Sequence, residues 1–198
     1  LKPGGIFYCI VPNVFGNHAD FIVIDHCNHF TPPSLRHLLE HAGLRIREID
    51  ADSHRGAFVI VADKLDEQDS DSHGLPAGEV QSTLRALESV AAYWRSAAST
   101  IRGFEAGLAA GEEVAIYGAG FYGAFISAHL SDRGRVACHL DQNRFLSNKK
   151  FNGRPILLPD KLPDDVRTVL VGLNPAHAKS IIADIPALSG KALTYFYL

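Results

Sequence analysis

The chain has 198 residues, 46% hydrophobic and 21% charged, with 17 Gly and 10 Pro, which is globular rather than collagen-like or low-complexity composition. Its 19 Lys and Arg against 22 Asp and Glu give a net charge of −3, so no cationic excess exists to drive nucleic-acid or anionic-membrane binding. Three cysteines, Cys9, Cys27 and Cys138, make neither a disulfide framework nor a Cys-x-x-Cys clip, and no apolar run reaches the roughly 20 residues of a membrane span. A cytoplasmic protein is the expectation.

Lys2-Pro3-Gly4-Gly5 is a turn signal, followed by Ile6 to Val11, a continuous apolar run with β-branched and aromatic content. Such a run reads as a strand buried on both faces of a parallel sheet. An irregular stretch from Pro12 to Phe30 carries His18, Asp20, Asp25, His26 and His29. Thr31 is an N-cap, Pro32 suits a first helical turn, and Gly43 is a stop. Leu35, Leu38, Leu39 and Ala42 predict the buried stripe of that helix. Leu44–Ile49 and Phe58–Ala62 read as two strands, an antiparallel finish to an α/β sheet.

Asp, Glu, Ser, Gly and Pro dominate from Asp63 to Gly78, which marks a linker. Val80, Leu84, Leu87, Ala91, Trp94, Ala98 and Ile101 then form one seam of a long packing helix. From Glu113 the pattern is strand, glycine turn, helix, strand: Val114–Tyr117, Gly118–Gly123, Ala124–Leu130 ending at Gly134, and Val136–Leu140. Val169–Gly172 is a further strand, Pro175 opens a helix through Ile182, and Leu193–Leu198 is the last strand. Alternating strands and helices predict parallel pairing with right-handed crossovers.

Gly118, Gly120 and Gly123 have the Gly-x-Gly-x-x-Gly spacing that lets a pyrophosphate approach the backbone at a helix N-terminus. Asp141, about twenty residues on, stands where a ribose hydroxyl would be held. The segment from residue 112 is therefore read as a small Rossmann-like domain. A nucleotide at its glycine turn and an empty turn kept for packing are both open.

Asp25-His26-Cys27-Asn28-His29 resembles a metal cluster, but zinc sites need three or four convergent ligands, and no metal is expected. His37 and His41 lie among Arg36 and Glu40 on a solvated face. A neutral imidazole can take a proton near neutral pH, so His26 or His29 is a candidate general base.

Leu1-Lys2-Pro3-Gly4-Gly5, the strand after it and Val11-Pro12-Asn13 resemble the late part of class I S-adenosylmethionine-dependent methyltransferases. There a Leu-x-Pro-Gly-Gly turn precedes the fifth strand of a seven-stranded sheet. The stretch from Asp25 to Thr31, then Ser34-Leu35 and Ala42-Gly43-Leu44, is similar to their continuation into the last helix and strands. Ile116-Tyr117-Gly118-Ala119, Leu140-Asp141-Gln142-Asn143 and Asn174-Pro175 extend the resemblance to sugar C-methyltransferases, whose catalytic domain is followed by a long helix and a Rossmann-like domain.

The resemblance implies an α/β fold: a partial methyltransferase domain (1–63), a linker and long helix (64–111) and a Rossmann-like domain (112–198). It implies that His26 removes a proton beside a ketone, with Asp25 and His29 at the site and Asn13 and Thr31 toward substrate. Val23 stands where the family often has an aromatic residue. The acceptor would be a nucleotide-linked ketosugar or a similar small molecule. The donor-binding glycine loop should lie upstream of Leu1, and the chain contains no Met. A C-terminal portion, inactive alone, separated from its N-terminal methyltransferase half and from S-adenosylmethionine, is the expectation. The other readings are a non-catalytic nucleotide- or NAD(P)-binding module and a scaffold or dimerisation domain, with a homodimer left open.

Overall fold

A computed structural model describes residues 1–2, 4–64 and 75–198. Pro3 of the expected opening turn and residues 65–74 of the expected linker lie outside the described residues. The architecture is mixed α/β and divides into two units, Leu1–Tyr93 and Trp94–Leu198. The division falls within the long helix rather than at either of its ends.

The first unit holds β1 (Ile6–Pro12), α1 (Pro32–His41), β2 (Leu44–Asp50) and β3 (Ala57–Lys64). Its strands lie in the order β1-β3-β2, antiparallel throughout, with Tyr8 opposite Val61 and Ile10 opposite Val59. Helix α1 forms where its punctuation predicts. The Thr31 hydroxyl accepts from the Ser34 N–H, the Ser34 hydroxyl accepts from the Thr31 N–H, and Pro32 fills the first turn. Gly43 stops the helix in the left-handed region at φ +70, where a side chain would be strained.

Leu35 and Leu39 of α1 pack with Phe58 and Ile60 of β3, and Phe7, Cys9 and Val11 of β1 join them. Leu38 and Ala42, expected in the same stripe, are exposed, because α1 meets the sheet along a narrower line. The larger correction concerns β1. It is an edge strand paired only with β3 among the described residues, and Ile6, Tyr8 and Ile10 are 54%, 60% and 50% exposed. A continuous apolar run signals two apolar faces, but here only one has a covering helix.

Helix α2 (Ala77–Ala106) follows. Its buried apolar positions are Val90, Trp94, Ala97 and Ile101, while Val80 and Leu84 are exposed. The seam therefore runs beside the one predicted, through Val90 and Ala97 instead of Ala91 and Ala98.

The second unit contains β4 (Val114–Tyr117), α3 (Phe121–His129), β5 (Val136–Leu140), β6 (Lys150–Phe151), β7 (Arg154–Leu157), β8 (Thr168–Val171), α4 (Ala178–Ala183), α5 (Pro186–Ser189) and β9 (Thr194–Tyr197). The sheet order is β6-β7-β5-β4-β8-β9, parallel except for the short β6–β7 pair. Both faces are covered. Ala115, Tyr117, Cys138, Leu140, Val169 and Val171 pack with Ile182 and Leu188 on one side. Ile101, Ile116, Ile126, Leu170 and Phe196 pack on the other.

Three local expectations shift. Helix α3 begins at Phe121, inside the expected turn, and Gly134 belongs to a separate 3-10 turn at Arg133–Arg135. Helix α4 starts at Ala178 rather than Pro175, because the Asn174 side chain accepts the Ala176 N–H and holds a turn first. Strands β6 and β7 went unpredicted: they are short, and Arg154 and Pro155 break their apolar pattern.

Candidate functional site

Past the carboxyl end of β1 the chain makes a sequence of side-chain-capped turns. The Asn13 carboxamide oxygen accepts from the N–H groups of Phe15 and Gly16, both at 3.0 Å, and the Asn13 N–H donates to Gly56. Asn17 caps the 3-10 turn His18–Phe21 that carries Asp20. Asn13 and Thr31, expected toward substrate, are thus both buried and serve as local caps.

The turn places Asp20 in the interior, with no exposed surface. Its two carboxylate oxygens meet two imidazoles: Oδ1 is 2.5 Å from His26 Nδ1, and Oδ2 is 3.3 Å from His29 Nδ1. The His side chains are 32% and 35% exposed, so each ring reaches from a buried carboxylate to the surface. The Phe21 ring lies 5.6 Å from that of His29. Asp25 is exposed, and the carboxylate against His26 is Asp20 instead. Sequence reasoning placed Asp20 in this stretch without giving it a role. Burial could not be read for a carboxylate six residues from its partner in an irregular loop.

A buried carboxylate needs hydrogen-bond donors, and an imidazole Nδ1–H is one. With Nδ1 donating, the neutral ring carries its lone pair on Nε2, the arrangement by which a carboxylate holds a catalytic histidine in one tautomer and stabilises its protonated form. His26 and His29 are thus brought together on the carboxylate of Asp20. Beside Thr31, an open cleft of about 340 Å³ is lined by Phe15, Pro32, Pro33, Arg36, Glu79 and Ser82, with Arg36 and Glu79 ion-paired within it. Among the described residues no group of three or more His, Cys, Asp or Glu is placed to hold a metal ion.

In the second unit the glycine turn separates into two roles. A Cβ on Gly123 would collide with the Gly118 carbonyl, one on Gly118 with the Gly172 carbonyl, and one on Gly172 would lie 2.6 Å from Gly123 Cα. Gly118 (φ +101), Gly123 and Gly172 therefore form a close contact between the ends of β4 and β8 and the start of α3. The sequence marks Gly172 only as the end of a strand. Gly120 is different, as nothing lies within 4 Å of its Cβ position, and it leads into α3 without a side-chain cap. Asp141 Oδ2 accepts the Ala119 N–H at 3.0 Å, and Oδ1 accepts the Asn143 N–H at 2.8 Å. Burial, aided by the charge of Asp141, pushes the Tyr117 phenol up to about 12, so it stays neutral. A cleft of about 270 Å³ past the ends of β5 and β7 is lined by Gln142, Arg144, Leu158, Pro159, Asp160 and Ile185.

No family model matches the chain, and no curated protein matches it. Among the described residues no helix is long and apolar enough to cross a membrane. The functional reading therefore stands on the two sites themselves.

Proposed function

We propose that the chain is the C-terminal portion of an S-adenosylmethionine-dependent C-methyltransferase acting on a nucleotide-linked ketosugar or a similar small ketone, with His26 as the base. The observation that carries this reading is the His26 imidazole held at Nδ1 by buried Asp20, in the loop after the carboxyl end of β1. Strand β1 lies here in an antiparallel three-stranded sheet, and in the larger, mostly parallel sheet that this reading gives it, ligands gather past the carboxyl ends of the strands. In this role Nε2 of His26 takes the proton from the carbon beside the carbonyl, and Asp20 stabilises the imidazolium that results.

The exposed apolar face of β1 and its edge, free among the described residues, favour the same reading, since proteins seldom leave a long uncharged edge strand uncovered. Such a strand suits the interior of a larger sheet. The methyl donor supplies an electrophilic methyl group. Among the described residues of the first unit no glycine-rich turn joins a strand to a helix, so none is assigned to hold that donor.

The test is hydrogen exchange at the carbon beside the ketone. The natural polypeptide that includes this chain is incubated with a nucleotide-linked ketosugar in D₂O and followed by proton NMR. Exchange is expected with the native protein and lost in His26→Gln. Exchange that survives in His26→Gln, or methyl transfer without it, overturns the assignment.

Open space at Gly120 supports a second reading for the other unit, a nucleotide-binding module without chemistry. Asp141 retains lone pairs for ribose hydroxyls beyond the two N–H groups it accepts. A thermal-shift screen with NAD, NADP and nucleotide sugars should then raise the melting temperature, an effect lost in Gly120→Val.

A further inference from the structure

We infer that the cleft past the carboxyl ends of β5 and β7 binds a phosphorylated sugar, free or within a nucleoside monophosphate, with Arg144 on the phosphate and Gln142 and Asp160 on the hydroxyls. The inference does not rest on the methyl-transfer reading. It also differs from the module reading, in which the ligand lies on the glycine turn.

Position comes first. Strands β5 and β7 pair in parallel, and ligands of such sheets gather past the carboxyl ends of the strands. The loop after β5 supplies Gln142 and Arg144, the turn after β7 supplies Leu158, Pro159 and Asp160, and Ile185 lines the cleft from just before α5. Backbone and side-chain hydrogen bonds brace these walls. The Asp141 N–H donates to the Leu157 carbonyl, the Asn143 N–H to the Asp141 carboxylate, and the Phe145 N–H to the Asn143 carboxamide. On the other wall the Lys161 N–H donates to the Leu158 carbonyl at 2.9 Å. A site held in shape before its ligand arrives loses less conformational freedom on binding.

The lining groups then select the ligand. Arg144 is exposed and forms no ion pair among the described residues. A guanidinium without a carboxylate partner presents a planar fork of donors that matches two oxygens of a phosphate. Asp160 meets the exposed Lys161 at 3.7 Å, which leaves carboxylate lone pairs for hydroxyl donors, and the Gln142 carboxamide both donates and accepts. Leu158, Pro159 and Ile185 offer apolar surface to the C–H groups of a sugar ring. A cation and an anion in one cleft suit a ligand that is anionic at one end and donates hydrogen bonds at the other. A bare anion would meet the like charge of Asp160 with nothing to offset it.

Size and surroundings agree. A volume of about 270 Å³ lies at the lower edge of small-molecule pockets, which start near roughly 300 Å³, and leaves room for one sugar phosphate or mononucleotide rather than a dinucleotide. The Ala119 N–H of the glycine turn is already taken by Asp141, so it is not free for a phosphate. Next to Arg144 in the chain, Phe145 is 85% exposed, an aromatic ring available to a base.

The experiment is a ¹H–¹⁵N NMR titration of the 198-residue chain with ribose 5-phosphate, AMP, ribose and inorganic phosphate, each added separately. Saturable shifts of the Gln142, Arg144 and Asp160 amides are expected with ribose 5-phosphate and AMP, and weaker binding with ribose or inorganic phosphate. In Arg144→Gln, an exposed position where the fold is kept, both phosphate esters should bind about tenfold more weakly. Asp160→Asn should narrow the margin of ribose 5-phosphate over inorganic phosphate. AMP binding tighter than ribose 5-phosphate, with that margin lost in Phe145→Ala, marks the ligand as a nucleotide, and equal affinity marks it as a sugar phosphate. Inorganic phosphate as tight as ribose 5-phosphate, affinity unchanged in Arg144→Gln, or no saturable shift at the lining residues overturns the site. Shifts centred on Gly118–Gly123, lost in Gly120→Val and kept in Arg144→Gln, also overturn it and leave the module reading in place.

Discussion

In the second unit every residue of β4 and β8 is buried, whereas β1 in the first alternates exposed and partly covered positions along its length. The runs look alike as sequence, since both are apolar without alternation. They differ in what the rest of the chain brings to them. Strand β4 has neighbours on both edges and packed side chains on both faces, while β1 has β3 on one edge and α1 over one face. Apolar content measures a capacity for burial, and neighbours decide how much of it is used. The less enclosed unit also carries the histidine site, where polar groups on irregular backbone need partners from their own loop.

The largest test of this contrast disrupts the core between α1 and the sheet of the first unit. Phe58, 2% exposed between α1 and the sheet, should cost about 4 kcal/mol when truncated to Ala. Hydrogen exchange of the Ala57–Lys64 amides should accelerate accordingly. Next comes the closest contact of the second unit. Gly123→Ala forces a methyl group against the Gly118 carbonyl and should cost about 3 kcal/mol. Urea unfolding followed by Trp94, the one Trp of the chain, measures it, because Trp94 stacks on Tyr122 in that unit. A variant with the wild-type midpoint would mean that the three-glycine contact is loose.

A smaller effect sharpens the electrostatic side of the comparison. Burial raises the Glu105 pKa, but the N–H groups of Asp132 and Ser131, the Ser131 hydroxyl and the charge of Arg135 outweigh it and leave the value below its ordinary 4.5. A carboxylate lowered on folding contributes stability above its unfolded pKa and loses it as pH falls through the folded one. Stability of the second unit should therefore decline as the pH drops below about 4.5. Glu105→Gln should weaken that dependence and cost about 2 kcal/mol at neutral pH. The smallest effect belongs to the open face of β1. Tyr8→Lys should change stability by no more than about 0.5 kcal/mol, read in the same exchange experiment. A large loss there would show that the face is covered.

The elements with local punctuation were legible in advance. Thr31 and Gly43 bracket α1, and β4 and β5 occupy the predicted residues, because caps and buried apolar runs act over a few residues. Helix α2 was legible as a helix but not in its buried face, since Val90 and Ala97 are as apolar as Ala91 and Ala98 beside them. At the histidine site, residue type pointed to His26 and His29, and the family resemblance paired His26 with Asp25, the acid adjacent in sequence. A 3-10 turn capped by Asn17 puts Asp20 there instead, and no periodicity announces a single turn.

Sequence by itself determined that this is an α/β chain, where its well-capped helix and the strands β4, β5, β8 and β9 lie, and that two histidines share a short loop. Those properties follow from backbone preferences and side-chain polarity acting over a few residues. Tertiary structure alone decided that Gly118, Gly123 and Gly172 touch, that Asn13 and Thr31 cap turns, that one face of β1 stays open, and that Asp20 serves both imidazoles. Each depends on which distant surfaces meet, and burial, unlike propensity, is a property of the neighbours.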